Sequence, residues 1–255
     1  MLLAIDAGNT SISFGLFDNK KLIKQFALAS DKKRSVDEYG VLINSILDQN
    51  GMDKNKIKAV ILASVVPVLT DTLKNAVKNY LNLDVIKVTT KINTGITYKL
   101  DTPKELGADR IANARAAIEI AKNKPVVVVD FGTATNFDVV SKNKEFLGGA
   151  IAPGINISAL ALNDYTSLLP KIRIEEPDKT IATNTIDCIL SGIIIGHAKM
   201  IEGMIDNIEN ELGEKAVIIA TGGYSNLVKN SMKREFDFIE PELTLLGLRL
   251  IYENL

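Results

Sequence analysis

Two segments of this chain are near copies of each other, and that duplication constrains its architecture more than any single motif does. Leu2 and Val126 open the apolar runs LLAID and VVVVD, and both runs end in an aspartate, Asp6 and Asp130. At the same shift of 124 positions Gly8 falls on Gly132, Asn19 on Asn143 and Lys20 on Lys144. Each copy reads as a buried strand, an Asp-x-Gly turn, a second strand and a hairpin turn at Asn-Lys. Later segments repeat as well. AVILAS (Ala59 to Ser64) aligns position by position with AVIIAT (Ala216 to Thr221). Short closing strands are expected at Asp84 to Val88 and Phe236 to Glu240, and helices at Pro103 to Lys122 and Leu243 to Tyr252. The second copy carries the longer insertion. The order in each half is three strands, helix, strand, helix, strand, helix, which predicts an α/β protein of two duplicated halves. No Pro/Gly/Ser-rich linker separates them. The boundary falls near Lys122 to Pro125, giving halves 1–122 and 123–255, rigidly joined with a cleft between them.

Composition excludes several function classes. Thirty basic against thirty-one acidic residues give a net charge of −1, which offers no field for a polyanion, so nucleic acid is not an expected partner. The amino terminus, MLLAIDAGNT, lacks the positive leader and long apolar run of a secretory signal. No stretch approaches the ~20 apolar residues of a membrane span, so no membrane association is expected. The single cysteine, Cys188, has no internal disulfide partner and is expected to be a buried structural thiol. These features together predict a soluble cytoplasmic protein. His197 is the only histidine, so no multi-histidine metal site exists; it is expected to be a packed or rim residue.

The chemistry is expected at the two hairpins. In DAGNT, Gly8 lets a ligand approach the backbone, Asn9 and Thr10 supply side-chain donors, and the N–H groups of such a turn form an anion-binding concavity. Asp6 can hold Mg²⁺ directly or through water. The second copy, DFGTAT, offers Asp130, Gly132, Thr133 and Thr135. An ordinary Asp-x-Gly turn explains either copy alone; the pair, both rich in Asn or Thr, points to a polyphosphate and its cation. Neither a Walker sequence nor a strand-borne Gly-x-Gly-x-x-Gly is present. Thr221, Gly222 and Gly223 follow a buried strand and either admit a flat adenosine group or simply make a tight turn. In TPKELGADR, Thr102, Pro103 and Glu105 read as a capping box, with Asp109 on the face of Glu105. Asp109 then points into a site or is a surface carboxylate. The segment Thr183 to Gly213, capped by Asn184, carries a helical apolar stripe that includes Ile186. Its Gly192, Gly196 and Gly203 suit core packing or a homodimer interface.

In order along the chain, DAGNT, LGADR, VVDFGTAT, GGAIAPG and TGG resemble the type III pantothenate kinases, within the acetate and sugar kinase/Hsp70/actin-like superfamily. The resemblance covers most of the chain. It implies two ribonuclease-H-like (actin-like ATPase) halves with ATP in the cleft, usually as a homodimer, and phosphorylation of pantothenate as the first step towards coenzyme A. On that resemblance Asp6, Gly8, Asn9, Thr10, Gly132, Thr133, Thr221, Gly222 and Gly223 bind ATP and Mg²⁺. Asp130 holds a monovalent cation, K⁺ or NH₄⁺. Asp109 is the general base, and Tyr98, Gly107, Ala108 and Arg110, with Thr185 from the partner subunit, shape the pantothenate site. Asn136 and Ala182 depart from the family pattern, where threonine and glycine are usual. The alternatives are a regulatory or accessory protein on the same fold and a kinase for another small-molecule alcohol.

Overall fold

A computed structural model describes residues 1–255 and divides into two compact units. Unit 1 comprises residues 1–116 and 243–255, and unit 2 comprises residues 117–242. The unit 1 sheet contains β1 (Leu2–Ala7), β2 (Ser11–Asp18), β3 (Lys21–Ala29), β4 (Ala59–Ser64) and β5 (Val85–Lys87), ordered β3-β2-β1-β4-β5. A two-residue strand, β6 (Thr97–Tyr98), comes after β5 in the chain. β1 pairs antiparallel with β2 and parallel with β4. Because both faces of β1 are covered, it reads as a continuous apolar run rather than an alternating one. Leu3, Ile5 and Ala7 join a cluster that also holds Tyr39, Ile43, Leu69 and Leu73, from α1 (Val36–Gln49) and α2 (Pro67–Leu81). Leu2 and Ala4 face the other way, into a cluster with Ala108 and Ile111 of α3 (Ala108–Ala121) and Leu245 and Leu248 of α8 (Leu243–Glu253).

Local signals set the helix ends. Ser35 and Glu38 form a reciprocal capping box at α1, with Glu38 N–H donating to Ser35 Oγ (3.2 Å) and Ser35 N–H to Glu38 Oε2 (2.7 Å). Pro67 opens α2, where its missing N–H costs nothing, and Asn82 closes it in the left-handed region (φ 53°).

Unit 2 repeats the plan. β7 (Val126–Phe131), β8 (Ala134–Val140), β9 (Glu145–Pro153), β10 (Val217–Gly222) and β11 (Phe238–Ile239) run in the order β9-β8-β7-β10-β11. Val127, Val129 and Phe131 pack against α4 (Ile155–Asp164) and a long helical segment. That segment is α5 (Thr185–Leu190), a π-turn (Ser191–Ile195) and α6 (Gly196–Leu212), and a short α7 (Ser225–Lys229) comes after β10. Under the 124-position shift β1 coincides with β7 and β3 with β9, residue for residue. The fourth strands differ by one position from the sequence alignment. Val126 pairs with Val217, whereas Leu2 pairs with Ala59, so Ser64 corresponds to Gly222 rather than to Thr221.

Several expectations need correction. Pro103–Glu105 form a separate 3₁₀ turn and α3 starts at Ala108, so Glu105 and Asp109 do not share a helix face. Thr102 caps no backbone N–H; its hydroxyl pairs with the Glu105 carboxylate (3.0 Å). Leu106 and Gly107 interrupt the helical run, and Gly107 accepts the first α3 hydrogen bond, from Ile111 N–H. Cys188 is exposed, because Ile189 and Leu190 take the inward face of α5, and Ile186 is exposed for the same reason. The continuous helix Thr185–Leu212 is long and apolar enough to cross a membrane, contrary to the sequence expectation; half of its most apolar stretch is buried within unit 2.

The contact-defined units also divide the chain differently from the duplicated halves 1–122 and 123–255, because α8 packs on the unit 1 sheet. It does so by crossing α3 at Gly247, where a Cβ would lie 2.9 Å from Ala112 Cα and closer still to the Ala112 carbonyl. Thr244 Oγ1 donates to Asn113 Oδ1 (2.7 Å) beside that crossing. Gly247→Ala forces two backbones apart and is expected to cost about 3 kcal/mol. Thermal unfolding should show a midpoint lower by about 10 °C, and an unchanged midpoint would contradict the crossing.

Candidate functional site

In unit 1 the candidate residues gather at the carboxyl end of the parallel strands. Asp6 is the penultimate residue of β1, and strand alternation puts it on the face of Leu2 and Ala4, the face covered by α3 and α8. Its neighbour across the ladder is Ala63, which shares a cluster with Ala108. Val65 continues from β4 and donates its N–H to the Ala7 carbonyl (3.2 Å). A Cβ on Gly107 would stand 3.3 Å from Val65 Cγ1, so the start of α3 rests against the same residue. Val65 is thus the link that brings the DAGNT turn and Gly107, Ala108, Asp109 and Arg110 to one corner of the sheet.

The DAGNT turn is closed by Gly8 N–H donating to the Ser11 carbonyl (3.0 Å). The Ser30 hydroxyl donates to the Gly8 carbonyl (2.6 Å), and Ser30 N–H to the Thr10 carbonyl (3.0 Å). With its carbonyls held from behind, the turn leaves Asn9 and Thr10 exposed at its tip.

Asp109 lies in the first turn of α3 and is half-buried. Burial pushes its carboxyl above the usual range, and the bond from Arg110 N–H (2.7 Å) and the Arg110 charge pull partly the other way. A carboxylate with a raised pKa in a corner that also holds Asp6 is suited to accept a proton. Tyr98 packs against the same apolar cluster, and its hydroxyl is 2.7 Å from that of buried Thr94. Burial raises the Tyr98 phenol, and the bond with Thr94 partly offsets this. A cavity of about 220 Å³ lined by Ser64, Val65, Pro67, Thr70, Asp71 and Lys87 adjoins this corner.

In unit 2 the second hairpin is tighter, with Gly132 N–H donating to the Ala134 carbonyl (3.1 Å). Gly132 and Thr133 are exposed, and Asp130 sits in β7 where Asp6 sits in β1. Thr221 is buried and pairs with Asp130 across the parallel ladder. Gly222 has φ 88°, and a Cβ there would come within 2.8 Å of the Phe131 nitrogen, so close packing of β10 on β7 requires glycine. Gly223 has open space beside it, so it alone of the pair keeps the room expected for a flat ligand group. Thr185, in unit 2, lies at the start of α5, where it lines a cavity of about 430 Å³ with Ser158, Leu162, Cys188 and Gly192.

No group of three or more His, Cys, Asp and Glu side chains is arranged to hold a metal. Asp6 and Asp130 each offer single carboxylates, which fits hard cations that take their remaining oxygens from phosphates and water. Glu209 has its pKa lowered to about 2, and its partners are structural. Arg234 grips it bidentately (2.6 and 2.9 Å), with Lys215 and Ala216 N–H adding bonds. Residues that sequence reasoning missed are Val65, Ser30 and Gly154, whose roles arise from contacts between turns far apart in sequence.

The model of the family described as type III pantothenate kinase matches residues 2–207. The chain is 42% identical over 252 residues to a type III pantothenate kinase of Dehalococcoides mccartyi, covering 99% of this chain and 97% of that one. It is 41% identical over 254 residues to that of Moorella thermoacetica, covering 100% and 99%. Among solved structures it resembles a ROK family glucokinase from Streptomyces griseus, with TM-score 0.52, 14% identity and coverage of 99% and 98%, a likeness of fold alone. The chain has the fold of duplicated ribonuclease-H-like halves and belongs to the type III pantothenate kinase family.

Proposed function

We propose that the chain transfers the γ-phosphoryl group of ATP to the hydroxyl of pantothenate, giving 4′-phosphopantothenate and ADP, the first step towards coenzyme A. The observation that carries the reading is the corner of unit 1 where Asp109, with its raised pKa, stands in the first turn of the helix that covers the sheet face bearing Asp6. Phosphoryl transfer proceeds through a loose transition state, so positioning and charge neutralisation supply most of the acceleration. Asp109 takes the proton as the hydroxyl oxygen bonds to the γ-phosphorus and the bond to the bridging oxygen of ADP breaks. Gly107, Ala108, Arg110 and Tyr98 shape the pantothenate site, with the Arg110 guanidinium suited to the pantothenate carboxylate.

Asn9 and Thr10 in one hairpin, and Gly132 and Thr133 in the other, hold phosphate oxygens. Gly8 keeps the first turn open to them, and Thr221, Gly222 and Gly223 form the adenosine side. Asp6 is the residue for Mg²⁺ and Asp130 for a monovalent cation, K⁺ or NH₄⁺; when bound, these neutralise phosphate charge. The enzyme works in the cytoplasm.

Asp109→Asn should lower turnover by roughly a hundredfold or more, with ATP affinity kept. In the parent enzyme the acid limb of kcat/KM should lie above the ~3.9 of a free aspartate, because activity needs the ionised carboxylate and the raised pKa delays its ionisation. Near-normal turnover in the variant, or an unshifted limb, would remove Asp109 as the base.

The homodimer is part of the same reading. Tyr165, Leu168, Ile181 and Ile186 are exposed apolar side chains on and beside α4 and α5. Gly192, Gly196 and Gly203 have nothing within 4 Å of where a Cβ would be. That face fits a second copy, and it carries Thr185 towards the partner's pantothenate site. Light scattering at micromolar concentration should give twice the chain mass, falling to a single chain in Leu168→Glu; a monomeric parent protein would refute the dimer.

A further inference from the structure

The duplication exposes a correspondence that neither half shows alone. The third strand of unit 1 ends at Ala29, and Tyr39 of α1 holds the residues there. Its hydroxyl donates chiefly to the Asp31 carbonyl (2.9 Å), lies 3.4 Å from the Ala29 carbonyl and accepts from Asp31 N–H (3.0 Å). Under the 124-position shift Ala29 falls on Pro153 and Ser30 on Gly154. At Pro153 a ring from a covering helix again meets the strand end, because His197 Nε2 is 3.1 Å from the Pro153 carbonyl. A carbonyl oxygen only accepts, so Nε2 carries the proton and donates.

The two turns differ in what lies behind them. In unit 1 the Ser30 hydroxyl bonds the Gly8 carbonyl. Gly154, in the equivalent place, has no side chain, and its backbone itself backs the hairpin. A Cβ there would be 2.8 Å from the Gly132 carbonyl and closer still to that of Thr133. Pro153 is the last residue of β9, so Gly154 lies beyond the end of that strand. Its place is set by Pro153 on one side and by α4 on the other, where Gly154 is the N-cap and its carbonyl accepts from Ser158, so a shift of Pro153 is passed on through Gly154 to the turn it backs.

We propose that His197 is a positioning residue for the phosphate-holding turn of unit 2, acting through Pro153 and Gly154 on Gly132 and Thr133. The inference rests on the proposed reading of that turn. His197 is buried, on the helix face of Ile194 and Ile201, where an apolar side chain would pack without needing a partner. The same ring nitrogen stands 3.4 Å from Thr135 Oγ1, and Thr135 is fully buried in β8. The π-turn Ser191–Ile195 just before it alters the helical phase, since one added residue rotates the rest of the helix by about 100°. That phase brings His197 to the sheet. Burial pushes the imidazole below its usual range, against hydrogen bonds with the backbone at Pro153 and Ile193; the neutral ring has one N–H, and the tautomer protonated at Nε2 gives it to Pro153.

The test compares His197→Leu, His197→Asn and His197→Gln with the parent enzyme. KM for ATP, KM for pantothenate, kcat, ADP affinity by calorimetry and the thermal midpoint are measured for each. Losing the bond is expected to raise KM for ATP and weaken ADP about tenfold in Leu and in Asn, whose amide is too short to reach Pro153. KM for pantothenate should stay within about twofold, and Gln, which can donate from a longer arm, should recover most of the loss. Unchanged nucleotide affinity in Asn, or equal loss in Gln and Asn, would overturn the proposal even if Leu fails to fold. Absence of pantothenate turnover in the parent enzyme would count against the functional reading instead, and the ADP affinities of the same proteins would still decide the role of His197. A parent protein that binds no ADP would overturn both.

Discussion

The parallel pairing of β1 with β4, and of β7 with β10, decides where every candidate group emerges. A parallel pair brings the carboxyl ends of both strands to one side of the sheet, so the loop after each strand opens on the same edge. In unit 1 that edge holds Asp6, Gly8 and Val65, and through Val65 the start of α3 with Asp109. In unit 2 it holds Asp130, Gly132, Thr221 and Gly222. Each arrangement arises from backbone hydrogen bonds and from glycines placed where a Cβ would collide.

How the turns are held explains why the copies have diverged in detail while keeping the plan. Unit 1 uses a hydroxyl, Ser30, to secure the Gly8 carbonyl. Unit 2 brings the Gly154 backbone so close behind the Gly132 and Thr133 carbonyls that no Cβ fits between. A ring from a covering helix stands at the strand end in both, Tyr39 in one and His197 in the other. Asp109 is shifted upward chiefly by burial, which makes it the better proton acceptor, whereas Glu209 is shifted downward by Arg234 and Lys215 and serves to tie α6 to the segment after it.

Much of this was legible in the sequence because it is local and repeated. The runs LLAID and VVVVD gave strands with matching boundaries, and the Asp-x-Gly turns appeared where expected. Other features depend on partners remote in sequence. Thr102-Pro103-x-Glu105 has the spacing of a capping box, but Leu106 and Gly107 end the turn there, leaving Glu105 to bond the Thr102 hydroxyl. Aligning AVILAS with AVIIAT by residue type missed a one-position offset, because a run of small apolar residues carries no marker of register. Cys188 looked internal from its apolar neighbours, yet helical phase turned it outward. The return of α8 to unit 1 is invisible in the sequence, since Gly247 acquires meaning only against Ala112. His197 lacked a signal for the same reason: Tyr39 comes ten residues after Ala29, while His197 comes forty-four after Pro153.

The most direct measurement is ADP release from the purified protein with ATP and Mg²⁺, with and without pantothenate, in K⁺ and then in Na⁺ buffer. The account predicts release that depends on pantothenate and is faster in K⁺. Pantothenate-independent release, or none in either buffer from a folded protein, would contradict it.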